Sequence, residues 1–253
     1  MKLTNNAEIS EQIQSALALD LPLVAVSFSN VEPAKTERYD GAQVAAGCKF
    51  WETALESTFT TSAEDHKLCS IGIYTHNLAD APSSQQQELQ STLSAMTGLD
   101  YIREQEVGAL PVVKESHRYV TYGRLREIQT APDVVLLFAH SQQGLIITEA
   151  AARIDANIPL AMGRPACAVI ANTLNQQRAT MSLGCCGARA YLGVLGDHVA
   201  LWALPGSKIA AYAEQIEKLA KGNSVLTQFH KVREVDVLAG QQPSVDDSLQ
   251  KLG

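Results

Sequence analysis

Long apolar runs, clustered positive charge and the familiar nucleotide and hydrolase signatures are all missing from this chain. No stretch approaches the ~20 apolar residues that a bilayer-spanning helix needs. Residues Met1 to Glu8 lack the basic start and apolar core of a secretory signal, so the expected location is the cytoplasm and no membrane partner is expected. Net charge is −7 at pH 7 and no Lys/Arg cluster interrupts it, which removes the electrostatic footprint of a nucleic-acid binder. Gly-x-Ser-x-Gly, Gly-x4-Gly-Lys-Ser/Thr, Gly-x-Gly-x-x-Gly and His-Glu-x-x-His are absent, which sets aside hydrolases of that type, P-loop and dinucleotide binders and zincins. The carboxylate doublet Glu64-Asp65 reads as a solvated face. Neither a sequence repeat nor a low-complexity tract divides the chain.

What is present is an ordinary globular composition, 46% hydrophobic and 19% charged over 253 residues, enough to bury a large core. Ile9, Ile13, Leu17 and Leu19 recur at helical spacing ahead of an apolar strand, Leu21 to Phe28. A polar loop from Ser29 to Gly41 precedes a helix expected over Ala42 to Ser57, with Cys48, Trp51 and Leu55 on one face. Phe59 to Gly72 reads as turn-rich. Ser83 to Thr97 reads as a helix stopped by Gly98, and His117 to Tyr122 as a strand.

Asp133 to Ala139 is apolar on both faces and should be a buried strand, with Ser141 capping a helix to about Ala156. Ala166 to Thr173 is a short helix or strand, and strands are expected at Arg178 to Leu183 and Val199 to Leu204. Ser207 is expected to cap a helix that Gly222 ends, with a last helix over Ser224 to Leu238. These elements predict an α/β (or α+β) fold, a single domain over residues 1–239 with a mixed β-sheet flanked by helices, and a frayed polar tail over 240–253.

Chemistry is carried by sulfur. In the cytosol structural disulfides are rare, so five cysteines read as buried, metal-bound or catalytic. Cys185 and Cys186 sit between Gly184 and Gly187, followed by Arg189. Cys48, Cys69 and Cys185 come from three separate segments, as the ligands of a cluster or closed metal site do. Glycines at 47, 72, 184 and 187 let backbone approach an inorganic group. Cys167, in an apolar segment, reads as inert core. Arg189 is placed either to hold an anion or to make a surface ion pair, and His66 and His76 flank Cys69 as ligands, proton carriers or structural residues.

With these residues the chain resembles the domain of unknown function 169 family. The likeness runs through Leu21 to Val26, Cys48 to Ala54, His66 to Gly72, Pro132 to Val135 and Ser182 to Arg189. It implies that Cys48, Cys69 and Cys185 act together, with Gly187 and Arg189 behind them, and it supplies no activity. The expectation is an iron–sulfur protein, with a four-iron four-sulfur cluster on Cys48, Cys69 and Cys185 and one iron open to a small anionic substrate. Gly72, Gly184 and Gly187 would cradle the cluster, while Arg189 would orient the anion. If Cys186 is a fourth ligand, the protein carries electrons to a redox partner or senses redox state. A cofactor-free enzyme, with Cys185 as nucleophile and His66 as proton carrier, and a binding module without turnover stand as alternatives.

Overall fold

One seven-stranded sheet organises the chain in this computed structural model, which describes residues 5–156, 159–162 and 164–251. The outermost residues of the expected domain and tail, 1–4 and 252–253, lie outside the described ones. The strands are β1 Val24–Ser29, β2 Phe59–Thr61, β3 Tyr119–Arg124, β4 Val134–His140, β5 Leu160–Met162, β6 Thr180–Ser182 and β7 Val199–Pro205. Their order is β2-β3-β1-β4-β7-β6-β5, antiparallel throughout except for the parallel pair β5 and β6. The fold is therefore α/β with a mixed sheet.

Alternation along the strands splits the core in two. On one face Val24, Val26, Val134, Leu136, Leu201 and Ala203 pack under α2 (Lys49–Thr53), α3 (Ser70–His76), α7 (Ala168–Gln176) and α8 (Cys186–Tyr191). On the other, Ala25, Val135, Leu137, Trp202 and Leu204 pack under α1 (Asn6–Leu17), α6 (Ser141–Asp155) and α9 (Ile209–Leu238). The first face carries all five cysteines. Two further helices, α4 (Ser84–Gly98) and α5 (Glu104–Val107), run beside it.

Local chemistry explains where helices start. Asn5 Oδ1 accepts from Glu8 N–H at 2.9 Å and opens α1, whose Ile9, Ile13 and Leu17 are buried. Several expected boundaries are corrected. The helix expected over Ala42 to Ser57 is only five residues long, and Cys48 stands just before it rather than within it. The turn-rich segment contains β2 and the start of α3. Ser141 is the first residue of α6, not its cap; Gln143 Oε1 accepts from His140 N–H at 2.9 Å instead. Ser207 does not cap α9, since its hydroxyl lies 2.6 Å from Gln177 Oε1. Gly222 does not end a helix: α9 runs through it for 30 residues, because packing over the first half and neighbouring helix formers outweigh one glycine's cost of about 1 kcal/mol. The expected frayed tail contains α10 (Val245–Gln250), capped by Ser244 and tied back by Lys251 to Asp236 at 2.7 Å. No helix among the described residues is long and apolar enough to cross a membrane.

Asp155, at the end of α6, fastens this second layer. Its carboxylate accepts from Tyr212 Oη at 2.5 Å, Lys208 Nζ at 2.8 Å and Ala179 N–H at 2.9 Å, and its side chain is 2% exposed. Burial alone would raise its pKa, yet the Lys208 and Tyr212 hydrogen bonds hold it below the usual carboxylate value. A depressed folded pKa gives stability that is fully present above the unfolded value, about 3.9, and is lost as pH falls through the folded value. Asp155→Asn is expected to cost about 2 kcal/mol at neutral pH. In thermal melts the gap to wild type should shrink once both proteins are below the carboxylate range; a gap unchanged by pH would refute the assignment.

Candidate functional site

Four of the five cysteines occupy the same kind of position, the residue immediately before a helix. Cys48 precedes α2, Cys69 precedes α3, Cys167 precedes α7 and Cys185 precedes α8. All four, with Cys186, line one cavity of about 150 Å³ between these helix starts and the inner side of α4 and the segment after it. Its remaining walls are apolar, with Ile71, Leu93, Met96, Ile102 and Leu110 among them, and Arg164 at its edge lies 4.2 Å from the Tyr101 ring centre. The cavity thus offers soft sulfur donors and no carboxylate.

The thiols are near enough to feel one another. Burial, followed by Cys69 and Cys185, pushes the Cys48 thiol up to about 12. Burial, followed by Cys69, raises Cys167 far above the ordinary thiol range, with Cys48 and Cys185 adding to it. A thiolate in this apolar setting needs a bound cation, since a coordinating thiol is deprotonated outright. Among the described residues no three His, Cys, Asp or Glu side chains stand close enough for a single metal ion. Ligands of a cluster bind different irons and so stand farther apart than the ligands of one ion.

Behind Cys69 lies a buried histidine pair. His66 Nε2 shares a hydrogen bond with Thr61 Oγ1 (3.1 Å), which also lies 3.2 Å from Val120 O, and Nδ1 has no partner among the described residues. A Cβ on Gly47 would come 2.8 Å from that Nδ1, and one on Gly72 would come 3.0 Å from Cys69 Sγ. Burial lowers both His66 and His76, the latter to about 4, so both are neutral at physiological pH. Tyr122 Oη, fully buried near Cys167, Cys69 and Cys48, also has no partner among the described residues. Of these histidines, glycines and Tyr122, only Gly72 lines the sulfur cavity, and its missing Cβ leaves room beside Cys69 Sγ.

The other expected site residues divide. Gly72 and Gly187 line the cavity. Gly184 is a turn residue instead: its φ is +88°, its N–H donates to Ser182 Oγ at 3.0 Å, and a Cβ would strike Leu195 at 2.7 Å. Arg189, expected either to hold an anion or to make a surface ion pair, is engaged with backbone carbonyls. Its guanidinium donates to the carbonyls of Leu195 (3.3 Å), Gly196 (2.9 Å), Leu183 and Val199 (3.4 Å), so it fixes the backbone around Cys185. The cation at the cavity edge is Arg164, which sequence reasoning passed over. His66 faces Cys69 and is not among the lining residues, so it is not arranged to take a proton from Cys185. Cys186 is exposed, and its N–H donates to Tyr101 Oη at 3.2 Å. Cys167, expected to be inert core, is part of the cavity wall.

Comparison with known proteins identifies a family. The profile of DUF169, described as uncharacterised ArCR, matches residues 12–215, a span that holds all five cysteines. An uncharacterised protein of Methanocaldococcus jannaschii, MJ0308, is 25% identical over 229 residues, covering 86% of this chain and 96% of its own length. No solved structure matches the chain.

Proposed function

The chain belongs to the DUF169 family, and from its sulfur-lined cavity we propose that it is an iron–sulfur protein, with a four-iron four-sulfur cluster bound through Cys48, Cys69 and Cys185. The observation that carries this reading is the meeting of thiols from separate segments on one apolar cavity. When bound, such a cluster supplies one-electron redox chemistry or, at an iron lacking a protein ligand, Lewis acidity.

The residues around the cavity have definable tasks. Gly72 leaves room beside Cys69 Sγ, Arg189 holds the Cys185 turn, and apolar side chains from α4 and the segment after it exclude water. A small anionic substrate entering this cavity would meet Arg164 rather than Arg189. The cofactor-free thiol enzyme receives less support, because His66, its expected proton carrier, lies beside Cys69 and outside the cavity lining that holds Cys185.

The test is purification without oxygen, followed by iron and acid-labile sulfide assays and a visible spectrum. About four irons and four sulfides per chain are expected. A colourless, iron-free protein that also fails to take up iron and sulfide on reconstitution would overturn the proposal.

A further inference from the structure

The sheet is built twice over. β1 and β4 pair about a local twofold axis: Val24 faces Leu136, Ala25 faces Val135 and Val26 faces Val134, so Val24 and Val134 exchange places. Opposite Val24 in β3 stands Arg124, and opposite Val134 in β7 stands Pro205. Farther out, Tyr122 of β3 faces Phe59 of β2, and Ala203 of β7 faces Thr180 of β6, which keeps the same offset in both halves. Each half ends in a 3-10 turn, Leu125–Glu127 and Gly206–Lys208. Each turn opens with the same bond, Leu125 N–H to Leu23 O (2.8 Å) and Gly206 N–H to Asp133 O (2.9 Å).

The cysteines obey this symmetry. In the first half the chain runs from β1 through Cys48, α2, β2, Cys69 and α3 to β3, with α4 and α5 inserted before β3; in the second it runs from β4 through Cys167, α7, β6, Cys185 and α8 to β7, with α6 and β5 inserted before Cys167. Cys48 and Cys167 share the backbone conformation φ −64°, ψ −19°. They also share the same entry bonds: Lys49 N–H to Ala46 O and Trp51 N–H to Cys48 O in one half, Ala168 N–H to Pro165 O and Ile170 N–H to Cys167 O in the other. Cys69 and Cys185 each stand immediately before the helix that follows β2 or β6, though with different ψ (77° and 174°), and on that alignment Cys186 falls opposite Ser70, so it has no sulfur counterpart.

We infer that Cys167 is the fourth ligand of the centre, the twofold counterpart of Cys48, and that Cys186 is not a ligand. The inference rests on the cluster reading and deepens it. Four thiols from two equivalent halves meet the usual requirement of a four-iron cluster for four cysteine ligands. Each thiol releases its proton to solvent as its sulfur–iron bond forms, so ligation needs no oxidant or reductant. Thr75 Oγ1 lies 3.3 Å from both Gly72 O and Cys167 Sγ, and the resulting thiolate, the stronger acceptor, would take its one hydrogen. Closed coordination leaves no iron for substrate, which narrows the role to electron transfer or redox sensing.

The test compares anaerobically prepared wild type, Cys167→Ala, Cys167→Ser and Cys186→Ala by iron and sulfide content and by electron paramagnetic resonance, before and after mild ferricyanide oxidation. Cys186→Ala is expected to match wild type. The Cys167 variants should retain a cluster with a changed signal and lose an iron on oxidation, giving a three-iron signal that wild type does not give. Thr75→Val, which keeps the packing shape, should lower the reduction potential, whereas a Cys167 that merely packs would leave it unmoved. Wild type that itself yields the three-iron signal, Cys167 variants indistinguishable from it, or Cys186→Ala behaving as expected for Cys167 would overturn the inference while leaving the cluster in place. An iron-free wild type would remove both.

Discussion

Cys69→Ala is expected to cut bound iron and sulfide at least about tenfold while the polypeptide stays folded. Even outer-shell changes cost ten- to a hundredfold in metal affinity, and this one removes a ligand. The fold has little stake in the thiol, since Cys69 is only partly buried and caps no helix through its side chain. A companion substitution separates site from scaffold. At Gly72 an added Cβ lies 3.0 Å from Cys69 Sγ and displaces it, yet alanine within α3 favours the helix by up to about 1 kcal/mol. Gly72→Ala should therefore lose iron without losing apo-protein stability, measured by metal assay and thermal melt on one sample. Full iron content in either variant would place the centre elsewhere.

Gly206→Ala should be the most damaging single change to the scaffold. An added Cβ would stand 1.8 Å from Pro132 O and 2.6 Å from Pro132 C, both backbone atoms of the segment entering β4. Neither moves without disturbing the bond from Gly206 N–H to Asp133 O. Overpacking of this kind costs about 3 kcal/mol, or a melting point lower by about 10 °C for a chain of this size. Gly222→Ala is the control: nothing lies within 4 Å of its Cβ, it sits inside α9, and alanine there should stabilise by about 1 kcal/mol. Equal melting points for the two variants would contradict the geometry.

The elements that were legible are those whose composition leaves one physical choice. Val134 to Ala139 and Val199 to Leu204 are apolar on both faces, and they are the central strands β4 and β7. The three cysteines singled out by their glycine-framed, separated segments do line one cavity. The carbonyl contacts of Arg189 were not legible because a guanidinium is equally suited to a carboxylate and to carbonyl ends, and sequence does not reveal which carbonyls converge on it. Cys167 was hidden by its apolar neighbours, which are the very residues that pack α7 against the sheet. The repeated strand register was not legible in sequence for a related reason. Backbone register is preserved while the side chains at equivalent positions diverge, Tyr122 against Ala203 and Phe59 against Thr180, because packing constrains total volume more than identity.

The most direct measurement is a Mössbauer spectrum of the full chain purified without oxygen from cells grown on isotopically enriched iron. Irons in sulfur-only, tetrahedral coordination, coupled within one cluster, are the expected result, and they should vanish together in Cys69→Ala. Enriched protein with no iron signal even after reconstitution, or a single isolated iron with nitrogen or oxygen ligands, would contradict it.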